Sequence, residues 1–392
     1  MAWELATFST DLLREPEAIK GVDVEIVPSG SSVRVTHVLD AVEPRIRPDG
    51  RAAFPSEGRA GEGRTNRLDS VVVLSCLDFP GEERPLHEQE SIVDLGGPAA
   101  ELTPFADMTA VVLTFAPGEG GHVEIDARAR QTALSVAEDI ARGTLDGEPE
   151  EVERFELRAA EESLPAVAAL IQLSDLGALY IQYVYGTPAG EAGLPRAVDP
   201  AEVLDGAITC GEYHWAAMRN PTWFFQRNGL IHTLYREHGR TLRFAGVVLM
   251  RGYEQSAADK QSAAERAAAV AGELGADGVV ITTDAGGNSH TDVMLTCRAC
   301  EQAGIRTTVV LAEETDPQST KPILTDWVPE ADSIVSTGNV EELVEAWRPE
   351  RVLGGDLLLD GTRAAEAGPI PVRNYLGSAN QMGQLALSAR TE

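Results

Sequence analysis

The sequence predicts an α/β fold: a C-terminal doubly wound parallel sheet of Rossmann-like type, preceded by an N-terminal α+β domain. Two observations carry this. Short apolar runs of strand length alternate with helical patterns across the second half of the chain, as right-handed βαβ units require. The chain of 392 residues also exceeds the roughly 250–300 residues at which single cores stop growing, so two domains are expected.

In the N-terminal domain, residues 1–150, VVVLSC (Val71–Cys76) and AVVLTF (Ala110–Phe115) have strand character. Glu124–Arg142 is Ala-rich with apolar residues at helical spacing, and predicts a helix. Gly50–Arg67 is rich in Gly and Arg with few large apolar residues, and reads as a long loop. The acidic stretch Asp146–Glu162 reads as the connection to the second domain, residues 151–360.

There, Ala166–Gln172 is a predicted strand. Asn220-Pro221 marks a helix start, a capping side chain followed by proline at the first helical position, and Gly239 suits its left-handed stop. Strands Leu242–Leu249, Asp277–Thr282 and Arg306–Leu311 then alternate with helices Ala257–Leu274 and Thr291–Ala303. A strand at Asp332–Thr337, a helix over Val340–Trp347 and a strand at Arg351–Gly355 finish the series. Residues 361–392 hold little periodic signal and read as a tail that packs on the chain itself or on a partner. Parallel sheets bind ligands at the carboxyl ends of their strands. The loops Met250–Gln255, Thr283–His290, Ala312–Gln318 and Thr337–Gly338 are therefore the ones to watch.

The formal charge of -30 argues against nucleic acid or an anionic membrane as partner, since both need a basic surface. No run of about 18 apolar residues spans a bilayer. The start, MAWELATFSTDLLREPE, lacks the cationic and apolar regions of a secretory signal. Four cysteines make no disulfide scaffold, so a cytoplasmic setting is expected.

Four stretches have chemical potential. DAGGNSHTD (Asp284–Asp292) follows a strand and opens a helix, and its glycines let backbone N–H groups approach an anion. Asp284, Gly286, Gly287, Asn288 and His290 are the candidate small-molecule contacts there. The same residues fit an ordinary βα turn capped by Asn288 or Ser289. ITCGEYHW (Ile208–Trp215) places Cys210 near His214, a thiol and a base, with Asp205 just upstream. An independent thiol or metal enzyme built on these three is one alternative. CRAC (Cys297–Cys300) has the spacing of a metal pair but lacks a second pair, and reads as thiols packed on a sheet, so no metal is expected. PGEGGHVE (Pro117–Glu124) reads as a turn.

Five blocks, in order and at family spacing, resemble the proprotein subunit of glycine/sarcosine/betaine reductase component B. They are VRVTHVLDAVEPRIR (Val33–Arg47), IVDLGGPAAELTPFA (Ile92–Ala106), AEVLDGAI (Ala201–Ile208), LYREHGRTLRFAGVV (Leu234–Val248) and GGNSHTDVMLTC (Gly286–Cys297). The D-proline reductase proprotein is a more distant likeness. The resemblance implies reductive cleavage of an activated amine and a cysteine converted to a pyruvoyl group, whose carbonyl acts as an electron sink. It also implies a partner subunit bearing a thiol or selenol. In this chain the position of that cysteine is Tyr213, which has no β-leaving thiol or hydroxyl. The expectation is an uncut chain with no pyruvoyl cofactor. Tyr213, His214 and Cys210 are then the candidate catalytic residues, and Asp205, Asp284, Gly286, Gly287, Asn288 and His290 the candidate substrate contacts. The loop that carries selenocysteine in the family's selenoprotein subunit reads Ala285-Gly286-Gly287 here, so the nucleophile is expected from a homologous Cys- or Sec-containing partner. Betaine's quaternary nitrogen forms no Schiff base, so a pyruvoyl-lacking paralogue serving another small molecule, as in secondary metabolism, fits the resemblance. A non-catalytic scaffold that stabilises the partner is the other alternative.

Overall fold

The computed structural model describes residues 2–54, 60–78, 91–116, 122–175, 181–211, 220–284, 286–315, 324, 326–358, 360–366 and 368–383. The first half contributes β1 (Trp3–Phe8), β2 (Val22–Val27), β3 (Val33–Val35), β4 (Val38–Val42), β5 (Arg45–Ile46), β6 (Gly63–Leu68), β7 (Val71–Leu77), β8 (Val93–Asp94), β9 (Thr109–Phe115), α1 (His122–Ala141) and β10 (Glu151–Phe155). The second half adds β11 (Ala166–Leu173), β12 (Ile181–Val184), β13 (Thr187–Pro188), β14 (Arg196–Val198), α2 (Pro200–Leu204), β15 (Ile208–Gly211), α3 (Thr222–Gln226) and α4 (Gly229–Glu237). It continues with β16 (Arg243–Arg251), α5 (Ala257–Glu273), β17 (Gly278–Thr282), α6 (Asn288–Gln302), β18 (Arg306–Glu313), β19 (Ile334–Asn339), β20 (Leu343–Val344), β21 (Arg351–Leu353) and β22 (Ile370–Pro371). The fold is mixed α/β, with several sheets of mixed strand direction and few long helices.

The largest sheet has the order β14-β16-β11-β17-β18-β19. Its five long strands are mutually parallel and the short β14 lies antiparallel at the edge. Alternation sorts its side chains onto two faces. Ala168, Leu170, Val248, Met250 and Ile281 pack under α5 and α6, against Ala264, Ala268, Val293 and Met294. Ala169, Ile171, Leu173, Val247 and Leu249 face the other way, into a core that holds Trp223, Phe224, Phe225, Ile231 and first-half residues such as Trp3, Val72 and Phe105. Both faces are buried, which is why these strands read as nearly continuous apolar runs.

The halves interlock. β10 pairs antiparallel with β1, and β21 lies parallel to β3. On β3, Arg34 makes a bidentate pair with Asp94 at 2.7 and 2.8 Å and reaches Ala364 O at 2.8 Å.

Several expectations are corrected. Gly50–Arg67 is not all loop: Gly63–Leu68 is a strand parallel to β1, and its last four residues, Thr65–Leu68, are all buried. The helix expected from Asn220 to Gly239 is two helices. Asn228 accepts from Ile231 N–H at 3.0 Å and starts α4 afresh, while Gly239, at φ +73°, ends the run as anticipated. Asn220 caps nothing, since its side chain is drawn to Asp284. No helix forms over Val340–Trp347, where Leu343 and Val344 instead bridge to Pro371 and Ile370. Arg351–Leu353 leaves the central series for the β3 sheet. Among the described residues no helix is long and apolar enough to cross a membrane.

Candidate functional site

The polar residues of interest stand within two residues of the carboxyl ends of four parallel strands. Gln172 is the penultimate residue of β11, and Ser174 follows the strand. Gly252 and Tyr253 follow β16, Thr283 and Asp284 follow β17, and Glu314 follows β18. Strands meeting in parallel bring these ends to one edge irrespective of their distance in sequence.

Asp284 is fully buried. Its Oδ1 accepts from Gln182 Nε2 at 2.8 Å, Asn220 Nδ2 at 2.9 Å and Asn220 N–H at 3.2 Å. Gln182 is itself oriented by Ser174 N–H, which donates to its Oε1 at 2.9 Å. Gln172 ties the floor together. Its Oε1 accepts from Thr283 Oγ1 at 2.9 Å, and its Nε2 donates to Ser289 O at 3.1 Å. That amide leaves no room beside β16: a Cβ on Gly252 would stand 2.8 Å from Gln172 Cδ.

Tyr253 is buried in the left-handed region at φ +60°, a strained conformation for a bulky residue. Asp292 holds it there, accepting from Tyr253 N–H at 2.7 Å while Lys260 Nζ binds the other oxygen at 2.6 Å. The phenol ends 3.4 Å from Gly286 O. Burial, with Asp284 nearby, raises its pKa well above the ordinary phenol value, so it stays a neutral donor.

Gly287, at φ +62° with open space around a would-be Cβ, is the N-cap of α6. The capping role anticipated for Asn288 or Ser289 falls to neither. Asn288 is exposed as the first helical residue, and Ser289 Oγ donates to Gly286 O at 3.0 Å. His290, 1 % exposed, is held neutral by burial, with a pKa lowered to about 4.

Cys210 lies on β15 beside Gln182. Its Sγ donates to Asn220 O at 2.8 Å and its N–H to Thr222 Oγ1 at 2.8 Å. Thr222 in turn donates to Asp40 Oδ2 at 2.6 Å. The thiol of Cys210 is thus one residue removed from Asp284, through Asn220. Tyr213 and His214 lie outside the described residues, as do Ala285 and most of Pro117–Glu124. Asp205 belongs elsewhere. It pairs with Arg47 Nη2 at 2.6 Å and accepts from Thr65 Oγ1 at 2.6 Å and Gly61 N–H at 2.8 Å. The CRAC thiols are buried in α6, Cys297 beside Thr307 Oγ1 at 3.2 Å.

Sequence reasoning missed Gln172, Gln182, Asn220, Tyr253 and Glu314 as contributors. The usable signal for Gln172, Tyr253 and Glu314 was position, a polar residue at or just past a predicted strand end. Gln182 and Asn220 are placed by contacts 102 and 64 residues away in sequence, for which no local signal exists.

What the fold and the strand-end cluster define is an α/β protein with a buried polar network at the carboxyl edge of its largest sheet. Residues 7–375 match the sequence model of the family described as glycine/sarcosine/betaine reductase component B subunits. The chain belongs to that family. It is 33% identical to the sarcosine reductase complex component B subunit alpha of Peptoclostridium acidaminophilum, covering 88% of this chain and 81% of that one. Against the glycine reductase complex component B subunits alpha and beta of Acetoanaerobium sticklandii the identity is 30%, over 97% and 91% of the two chains. The betaine reductase complex component B subunit alpha of P. acidaminophilum is 33% identical, over 90% and 87%. No solved structure matches.

Proposed function

We propose that this chain is a component B-type subunit that shapes a small-molecule site, for an amine or amino-acid-like compound, and works without a pyruvoyl group of its own. The nucleophilic thiol or selenol comes from a homologous partner subunit. The observation that carries this reading is the Asp284 network. A buried carboxylate, held by Gln182 and Asn220, stands at the strand ends beside a glycine loop that contains no cysteine.

The segment 212–219 departs from Gly211, next to Cys210, and returns at Asn220. Both flanks are thus bonded into the Asp284 network or its neighbour Thr222. This supports Tyr213 and His214 as residues of the same crevice, acting as hydrogen-bond donor and general acid toward a leaving group. The parallel order, in which progression reverses at β11, supports a doubly wound, Rossmann-like reading of the sheet, with β11 and β17 flanking its switch point.

Intact-mass spectrometry of the purified chain, with and without hydroxylamine, tests the missing cofactor. One species near 41.9 kDa that does not react is the expected result. Two fragments joining near Gly211–His214, or a hydroxylamine adduct, would overturn it. Co-purification from the native host tests the partner: a homologous Cys- or Sec-bearing chain is expected, and turnover by the isolated chain alone would sink the idea.

A further inference from the structure

A feature at the amino end of α6 deepens the reading of the crevice as a small-molecule site and rests on it. Glu314, just past β18, turns its carboxylate toward this helix. Its Oε1 accepts from Gly287 N–H at 3.3 Å and stands 3.8 Å from His290 Nε2. The second distance is too long for a hydrogen bond. His290 is 1 % exposed, and among the described residues neither ring nitrogen has a hydrogen-bond partner. Buried polar groups are almost always satisfied, and an unmet one calls for an explanation such as a ligand. Here the unmet Nε2 is aimed at the same oxygen that the Gly287 N–H reaches. α6 is 15 residues long, so its amino end carries the positive pole of a full helix.

We propose that this end of α6 is the carboxylate subsite of the crevice, and that Glu314 is a resident stand-in which a small-molecule monocarboxylate displaces. The incoming carboxylate takes the Gly287 N–H and completes the His290 imidazole, which Glu314 reaches only from a distance. The Glu314 side chain is 25% exposed and lies on a connection rather than in the helix, so it can swing toward water. His290 and Gly287 are fixed by the helix and do not follow.

Calorimetric titration of the full chain with acetate, and separately with betaine, tests the assignment. Glu314→Gln and Glu314→Ala remove the competing charge, and both should bind the probes about tenfold more tightly, a difference of about 1.4 kcal/mol. Adding His290→Phe to either should cancel the gain. Should the double variant fail to fold, the imidazole nitrogen shifts of His290 in Glu314→Ala take its place, and acetate should move them. Unchanged or weaker binding in both single variants overturns the proposal, as does a gain that survives loss of the imidazole or leaves its shifts unmoved. Partner dependence and the uncut chain are read from separate measurements, so either reading fails without the other.

Discussion

Asp205 and Asp284 are both buried aspartates just past a short apolar run, and the fold puts them to different uses. Asp205 stitches the halves of the chain together. It joins Arg47, Gly61 and Thr65 from the first half, and Thr65 also receives the indole N–H of Trp3 at 3.1 Å. Asp284 gathers Gln182 and Asn220 at the carboxyl edge of a parallel sheet, the edge at which such sheets bind ligands. Burial does not separate the two. Position relative to the strand ends does.

The steepest test of the contrast is pH. His37, His232 and His290 are each held near pKa 4 by burial, against 6.5 when unfolded. The folded state therefore binds fewer protons than the unfolded one in that interval. Their contribution is complete above pH 6.5 and is lost as pH falls toward 4, on the order of 3 kcal/mol each. Urea midpoints followed from pH 7 to pH 4 should fall steeply. His232→Gln and His290→Gln should each flatten the slope by a comparable amount, one beside Phe155 and one at the start of α6. Added acetate should alter only the His290 share. A flat profile in the parent chain would refute the buried neutral state.

Removing each aspartate separates the regions directly. Asp205→Ala removes the carboxylate that Arg47, Thr65 and Gly61 share, breaking a buried ion pair at a cost of about 3–5 kcal/mol. Asp284→Ala removes the acceptor that the amides of Gln182 and Asn220 share, at about 1–3 kcal/mol. Chemical denaturation of both variants checks this, and equal losses would erase the distinction.

A more local effect is expected beside Gln172. Gly252→Ala drives a methyl group into the Gln172 amide, costing about 1–3 kcal/mol as the side chain is displaced. Amide proton exchange at Ser289 and Thr283 should report a disturbance confined to this edge. If protection there is unchanged, Gln172 is not the tie it is described to be.

The smallest effect concerns the cysteines. Burial raises the thiols of Cys76 and Cys300 to about 12, and all four thiols are inaccessible. A chromogenic disulfide reagent should therefore react with the native chain far more slowly than with the unfolded one. Rapid native labelling of Cys297 and Cys300 would instead return CRAC to the list of redox candidates.

The local pattern of the chain determined where most strands of the central sheet run and where α5 and α6 lie. Apolar runs of strand length and Ala-rich helical spacing are properties of neighbouring residues. It also placed Asp284–His290 at the carboxyl edge of a parallel sheet, between a predicted strand and a predicted helix. The tertiary structure decided the rest. Gly63–Leu68 became a strand only because β1 lies beside it, and Leu343–Val344 left its expected helix to bridge Ile370–Pro371. Asp205 turned from a candidate site residue into a cross-link through an arginine 158 residues away. Gln182 and Asn220 joined Asp284 for the same reason. A hydrogen bond across such a distance is made by the packing of two surfaces, and no window of sequence contains both of its ends.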